Sequence, residues 1–365
     1  MEAQRKLKQH AFELYRATAV MMVVCAHYIA AAKDLPPVVK GLFSAFTYLG
    51  VWLFFIISGY LLAASLMSLL RSGNTVSRAV ATFFAKRVLR IYPAYLVSLA
   101  VFSGLIGVGA LDFLVHSLNL HNLFAGYNRS INAVYWTLAV EFQWYLVAPL
   151  LIVFFIRSSI AVAVLMLGAL IALSLAGRLF FLDQYYQGSM GLPELVRLVQ
   201  DQMPIHLFNF CIGIVIYKLR AVTFLRRRWH IAVLIGILIY LGGEISGLMK
   251  DVVQRDLDMV RYKLILLYLA IVVLGITVHS LLHVQLNQIS YVVISFVSSI
   301  SYSLYIYHYP IIEYLKDFQF AWPSLLVLYV ILAISASTLS YYLVEAPFLR
   351  YSARLGRAPR SANAH

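Results

Sequence analysis

Six residues of types that do chemistry lie within or against apolar runs: Arg16, His27, Arg87, Arg90, Glu141 and His308. An ionisable side chain in hydrocarbon is costly enough to mark a functional site by default. Arg16 and His27 are eleven residues apart, so a helix returns to within about 20° of the same face over about 16 Å of axis. The spacing predicts a guanidinium toward one end of a helix and an imidazole toward the other, on one stripe; a snorkelling Arg and a hydrogen-bonded bundle His satisfy the same spacing. Glu141 lies in Ala133-Val-Tyr-Trp-Thr-Leu-Ala-Val-Glu-Phe-Gln-Trp-Tyr-Leu-Val-Ala148. A lone carboxylate at that depth needs a cation or several donors, so a His or Arg neighbour is expected, with a neutral, hydrogen-bonded Glu as the alternative. His308 follows Ser301-Tyr-Ser-Leu-Tyr-Ile-Tyr307 at comparable depth, and His27, Glu141 and His308 are expected to meet. For the stripe of Tyr302, Tyr305 and Tyr309, helix packing and interfacial anchoring is the favoured reading.

The segment Phe84-Ala-Lys-Arg-Val-Leu-Arg-Ile-Tyr-Pro-Ala-Tyr95 places Lys86, Arg87 and Arg90 just ahead of an apolar run. Arg87 and Arg90 are i,i+3 neighbours able to engage two phosphate oxygens through planar, charge-assisted hydrogen bonds, and Pro93 offers a bend. Anionic lipid headgroups and topology signalling fit the same cluster. Ser58, in Ile57-Ser58-Gly59, lacks the strand-to-helix context of a nucleophile elbow and reads as a small packing residue. Cys25 and Cys211 both fall in apolar runs and are too few for a disulfide framework or a zinc site; no metal is expected. No Gly-rich phosphate loop is visible.

These residues require membrane helices to hold them. Of 365 residues, 62% are hydrophobic and only 12% charged, which excludes an ordinary soluble globule, a disordered chain and a coiled coil. Stretches long enough to cross about 30 Å of hydrocarbon fall near 11–31, 45–67, 90–110, 134–155, 159–177, 204–222, 231–249, 262–280, 290–312 and 322–344. The expected fold is therefore all-α: a polytopic integral membrane protein of about ten helices. With the N-terminus inside, the inner segments take most of the basic residues, among them Arg71, Arg78, Lys218, Arg226, Arg227, Arg228, Arg350, Arg354, Arg357 and Arg360, which predicts both termini in the cytoplasm. The formal charge of +14 is then mainly topological, and with no separate aromatic-interleaved basic domain no nucleic-acid partner is expected. The weakest boundary is the uncharged loop Leu281–Ile289, which leaves nine or eleven spans open. A basic lead, an apolar run and Ala30-Ala31-Ala32 resemble a signal peptide, but Arg16 interrupts the run and further spans follow, so an uncleaved first helix is expected. Residues 1–347 read as one membrane domain and 348–365 as a basic cytoplasmic tail.

Taken together, the chain resembles the acyltransferase-3 family, integral membrane enzymes that move acyl groups from coenzyme A to extracytoplasmic carbohydrates. The resemblance rests on Glu13-Leu-Tyr-Arg16 with His27 after it, Gly50-Val-Trp-Leu-Phe-Phe-Ile-Ile-Ser-Gly-Tyr60 and Arg87-Val-Leu-Arg-Ile-Tyr-Pro-Ala-Tyr95. It continues through Trp136-Thr-Leu-Ala-Val-Glu-Phe-Gln-Trp-Tyr145, Ser301 to His308, and Glu345-Ala-Pro347. Glu13 stands where many relatives have Asp. The resemblance implies about ten helices, a catalytic role for Arg16 and His27, and functional roles for Arg87, Arg90, Trp136 and Glu141. Some relatives carry a further hydrolase-like domain; this chain is expected to work without one.

The mechanism that follows joins a cationic inner mouth to an outer acid/base site. Arg87 and Arg90, with Lys86, Tyr92 and Arg16, are expected to hold acyl-CoA, the donor substrate, with no resident cofactor. His27 is expected to act as general base on a sugar hydroxyl, with Glu141 orienting the imidazole and Trp136 stacking on a sugar. His308, Tyr305 and Ser58 are placed as supporting residues at the acceptor side. The partners are thus acyl-CoA, an extracytoplasmic carbohydrate and the lipid bilayer, in a bacterial inner membrane. A secondary transporter or flippase of a sugar-linked or anionic substrate is the rival reading, and a catalytically idle scaffold or sensor the third.

Overall fold

The computed structural model describes residues 2–36, 40, 46–222, 225, 227–318 and 320–355; Arg226, Arg357, Arg360 and most of the expected tail lie outside them. The long helices are α1 (Glu2–Ala31), α2 (Phe46–Arg71), α3 (Val76–Ile106), α5 (Tyr135–Arg157), α6 (Ile160–Tyr186), α8 (Met203–Lys218), α9 (Arg228–Ile245), α11 (Leu257–Ser280), α12 (Gln288–Leu315) and α13 (Trp322–Ser340). Short helices α4 (Ala110–Ser117), α7 (Leu192–Gln200) and α10 (Leu248–Gln254) sit in the connections. A π-helical segment, Tyr341–Glu345, joins α13 to α14 (Ala346–Arg354). No strand occurs among the described residues. The protein is an all-α, multi-pass membrane protein.

Local chemistry sets the helix ends. Thr75, Ser159, Asp256 and Asn287 are N-caps whose side chains accept from the backbone N–H three residues on, opening α3, α6, α11 and α12. Gly107, at φ 70°, closes α3 in the left-handed conformation that a Cβ disfavours.

Nine helical stretches among the described residues are long and apolar enough to cross a bilayer. The tenth expected span is α8, only 16 residues long, or about 24 Å. It is buried along most of its length, apolar all round as a helix enclosed by others should be. Its two ends are tied to opposite faces. Before α8, the Asp201 carboxylate accepts from Arg129, which precedes α5; after it, the Lys218 ammonium donates to the Phe155 carbonyl at 2.8 Å at the far end of α5. Thus α8 crosses in the same direction as α5. At that second face the Leu219 carbonyl meets His279 at the end of α11 at 3.2 Å, and the Leu286 N–H donates to His10 of α1 at 3.3 Å.

Three boundaries differ from the hydropathy expectation. Helix α3 starts at Val76 rather than near residue 90, so Lys86, Arg87 and Arg90 stand on the body of a helix and not ahead of it. It runs unbroken through Pro93, so the expected turn around a ligand is not there. Helix α6 continues to Tyr186, well past residue 177. In both cases basic residues sit inside a helix whose hydropathy window they had ended. The Leu281–Ile289 connection, by contrast, lies between α11 and α12 nearly as expected.

Helices α2 and α8 touch backbone to backbone. A Cβ on Gly59 would fall 1.9 Å from the Phe210 carbonyl oxygen, and one on Gly213 would fall 2.0 Å from that of Ile56. Small residues permit this approach, which drives helix association where lipid removes the hydrophobic incentive. Helix α1 packs between α2 and α12. Because overpacking costs about 1–3 kcal/mol, Gly213→Val should lower the thermal unfolding midpoint of the detergent-solubilised protein. Gly236→Ala, whose new Cβ meets open space, should leave it unchanged; equal midpoints for the two variants would refute the close α2–α8 contact.

Candidate functional site

Helices α1, α2, α3, α5 and α12 enclose a cavity of about 110 Å³. Arg16, Arg87, Arg90, Ser58, Glu141 and Tyr305 all line it. The helical phase of α3 explains which expected residues are present. Arg87, Arg90 and Ile91 share the face turned to the cavity, whereas Lys86 and Tyr92 are rotated off it and do not line it. The Tyr92 hydroxyl instead donates to the Ser117 carbonyl at 2.9 Å, tying α3 to the end of α4. Three guanidiniums face one carboxylate. Ser58 donates to Glu141 Oε1 at 2.9 Å, Arg87 donates to Ser65 Oγ at 3.3 Å, and the buried Arg87 Nε has no partner. Arg16 lies within electrostatic reach of Arg87, Arg90, Glu13 and Glu141. A low-dielectric recess with this excess of positive charge attracts anions, and Arg forks suit phosphate or carboxylate oxygens.

The expected meeting of His27 with Glu141 does not occur. Glu141 belongs to the arginine cavity, and His27 pairs with His308 instead: His308 Nε2 is 3.1 Å from His27 Nδ1. Depth along two different helices put the carboxylate beside the imidazole in sequence reasoning, but α5 turns Glu141 toward Ser58. The backbone sets both tautomers. His308 Nδ1 lies 2.8 Å from the Tyr305 carbonyl, so it carries the proton and leaves Nε2 as an acceptor. His27 Nδ1, 3.0 Å from the Val23 carbonyl, carries its proton in turn, shared toward His308. The lone pair of His27 is therefore on Nε2, the arrangement a general base needs. Tyr309 packs edge-on against His27 at 5.0 Å between ring centroids.

Tyr305 stands between the two centres. It lines the cavity, shares a 2.6 Å hydrogen bond with Thr137, and packs 5.8 Å from the His308 ring. Arg16 and His27, on one helix, thus both face the bundle interior, Arg16 at the cavity and His27 on α12.

Beyond His27 lies a polar ledge that sequence reasoning missed. Arg129 holds the buried Asp201 carboxylate through Nε at 2.8 Å and a second nitrogen at 2.6 Å, and Asn128 adds a third donor at 2.6 Å. Burial lifts the Asp201 carboxyl above its ordinary range while Arg129 pulls the other way. Arg129 has φ 66°, a left-handed backbone uncommon outside Gly, Asn and Asp. Its guanidinium lies 5.9 Å over the Trp136 ring. Trp136 also packs on His206 at 5.6 Å and is buried, which leaves little of its face for the expected sugar; it lines a second cavity with Arg178. Nothing in a single sequence links Arg129 to Asp201 across a long intervening stretch. Arg178 falls just past the expected span end at 177, so the hydropathy pattern alone does not mark it as an intramembrane charge.

Against this ledge, His116 and His121 stack with ring centroids 4.1 Å apart and planes within 3°. His116 Nδ1 meets Asp112 at 2.9 Å. Burial, helped by the neighbouring ring, holds His121 down at about 3, and burial lowers His116 as well.

Comparison with known proteins adds a family. The acyltransferase domain family matches residues 9–345. Nodulation protein 10 of Rhizobium leguminosarum bv. viciae is 32% identical over 148 residues, 33% of this chain and 38% of that protein. The O-acetyl transferase of Shigella phage Sf6 is 28% identical over 162 residues, 38% of this chain and 45% of that protein. The chain thus spans less than half the length of these two relatives. No solved structure matches.

The His121 shift has a signed consequence. Its folded pKa is depressed, so between the unfolded value of 6.5 and about 3 the unfolded chain binds a proton that the folded one refuses. Stability is then present above pH 6.5 and falls on acidification, by up to about 1.4 kcal/mol per pH unit for this one group. Thermal midpoints between pH 6.5 and 4.5 should decline less steeply for His121→Phe, which keeps the stack; identical slopes would refute the assignment.

Proposed function

The chain belongs to the acyltransferase-3 family, and from that premise we propose that it is a membrane acyltransferase that moves an acyl group, acetyl in the simplest case, from cytoplasmic acyl-CoA to a hydroxyl of an extracytoplasmic carbohydrate. The observation that carries the reading is the placement, on α1, of Arg16 in a cavity with Arg87 and Arg90 and of His27 with its Nε2 lone pair free.

In this reading the three guanidiniums bind anionic or carbonyl groups of the donor. A cavity of about 110 Å³ takes a segment of coenzyme A rather than the whole molecule, so the pantetheine arm is threaded past Tyr305 toward His27. Phosphate oxygens engage Arg87 and Arg90, while Glu141, held by Ser58, limits repulsion among the arginines. At the outer end His27 Nε2 takes the proton of the acceptor hydroxyl as its oxygen attacks the thioester carbon. The tetrahedral intermediate expels the coenzyme A thiolate, which takes that proton back from the imidazolium. His308 performs the orienting role expected of Glu141: its Nε2 accepts from the same His27 Nδ1–H that the Val23 carbonyl holds, and so orients the ring. Glu313, within electrostatic reach of His27, favours the transient imidazolium. Arg129 and the outer ledge shape the acceptor side. The location consistent with such a reaction is a bacterial cytoplasmic membrane.

Proteoliposomes supplied with acetyl-CoA and a surface glycan should release free coenzyme A in proportion to glycan acylation. His27→Ala should lower kcat by about 10²-fold or more, the scale of a lost general base, while leaving the thermal midpoint intact. Arg87→Gln and Arg90→Gln should mainly raise KM for acyl-CoA. Substrate uptake into sealed vesicles without thioester consumption would overturn the reading, and acylated enzyme formed before acceptor is added would overturn direct transfer.

A further inference from the structure

The second cavity, about 90 Å³, lies on the other side of Trp136, among α2, α5, α6, α8 and α11, and is roofed by residues of the short helices α7 and α10. Its walls are apolar apart from Arg178, His206, Gln200 and the aromatic side chains Tyr48, Trp52 and Trp136. Arg178 is 7% exposed. Its Nε has no hydrogen-bond partner, and no carboxylate pairs with it among the described residues.

The neighbours of Arg178 do not complete it. The Tyr268 ring centroid lies 5.7 Å from the guanidinium carbon, a cation–π contact that supplies no compensating negative charge, and the Tyr268 hydroxyl is engaged with Ser174 at 2.7 Å. Asp251 acts on Tyr48, as Arg178 does, but its carboxylate is 2.6 Å from Lys263 and committed there. His206 donates from Nε2 to the Gln200 carbonyl at 2.6 Å and accepts at Nδ1 from the Asn209 amide at 3.4 Å, so it is a neutral imidazole and offers no second cation. A guanidinium keeps its charge in proteins, and a buried charge without a partner is strongly unfavourable. An anion with oxygens spaced for a planar fork would meet this guanidinium.

We propose that this cavity is a second binding site, for the oxyanion head of a membrane-borne amphiphile: a phosphate or carboxylate held by Arg178, with the apolar portion against the walls. Size supports the division. About 90 Å³ suits a small head and falls well below the ~300–1,000 Å³ of pockets that enclose a whole drug-sized ligand. The apolar walls and the position within the helix bundle favour a ligand arriving from the bilayer over a free ion from water. Trp136 borders this cavity and contacts Arg129, so the bound head lies one side chain away from the outer ledge. The inference stands without acyl transfer.

Trp52 and Trp136 in the wall report occupancy. The full-length protein in phosphatidylcholine nanodiscs, without acyl-CoA, is titrated with dodecyl phosphate and tryptophan emission is followed. A saturable change is expected, weakened at least tenfold in Arg178→Gln, with no saturable change for dodecyl glucoside. Should Arg178→Gln fail to fold, Val199→Phe, which fills the cavity and keeps the guanidinium, should also remove saturation. Dodecanoate distinguishes a carboxylate from a phosphate ligand. Competition by phosphatidylglycerol assigns the head to a bilayer phospholipid, and its absence to a dedicated phosphate amphiphile; both support the site. Equal titrations of Arg178→Gln and wild type, equal response to the neutral glucoside, or equal response to inorganic phosphate would each overturn it.

Discussion

A guanidinium cannot shed its charge inside a protein, so every arginine drawn into a membrane bundle must be met there by negative charge, by dipoles or by a ligand. That constraint organises this molecule. Arg16, Arg87 and Arg90 come from two helices and face one cavity whose lining, among the described residues, holds a single carboxylate, Glu141. Arg178, on α6, faces another cavity, with no carboxylate paired to it among the described residues. Packing alone does not favour such clustering, since like charges in a low-dielectric interior repel. The fold must hold them in place by interactions formed elsewhere.

Those interactions are mainly steric and local. Gly59 and Gly213 bring the backbones of α2 and α8 into contact, and this seats α8, too short to be recognised by length, in the middle of the bundle. Lys218 and Asp201 secure its two ends to opposite faces. With α8 fixed, α2 presents Ser58 to Glu141, and α1, packed between α2 and α12, turns Arg16 to the cavity and His27 to His308. Glu345 contributes from the far end of the chain: it is buried, bonded to Ser303, and within electrostatic reach of Arg90. The π-helical segment that carries it, Tyr341–Glu345, is of a kind often found at functional sites.

The two histidines illustrate how backbone geometry selects chemistry. Each ring has Nδ1 against a carbonyl of its own helix, four residues earlier for His27 and three for His308. A neutral imidazole has one N–H, so committing it at Nδ1 leaves Nε2 as the acceptor. On His308 that lone pair is used by His27; on His27 it remains for a substrate. The orienting group is therefore a second imidazole, with the carboxylate of Glu313 farther off.

Much of this was legible in one dimension. The class, the approximate spans and the Leu281–Ile289 connection follow from apolar run length, because hydrocarbon thickness imposes a minimum on any crossing helix. The arginine and histidine of α1 share a stripe because 3.6 residues per turn brings position eleven back to the same face. Helical phase also separates Arg87 and Arg90 from Lys86 and Tyr92, once α3 is known to run through them; hydropathy had begun that helix too late because the basic residues themselves lowered the window. What the tertiary structure alone decided is which stripes face each other. Glu141 went to the arginines rather than to His27, His27 went to His308, Arg129 reached Asp201 from a distant loop, and Arg178 turned inward to a cavity. Each of these depends on the rotation of one helix against another, set by side-chain and backbone contacts between segments far apart in the chain, for which no periodicity within a single segment carries a signal.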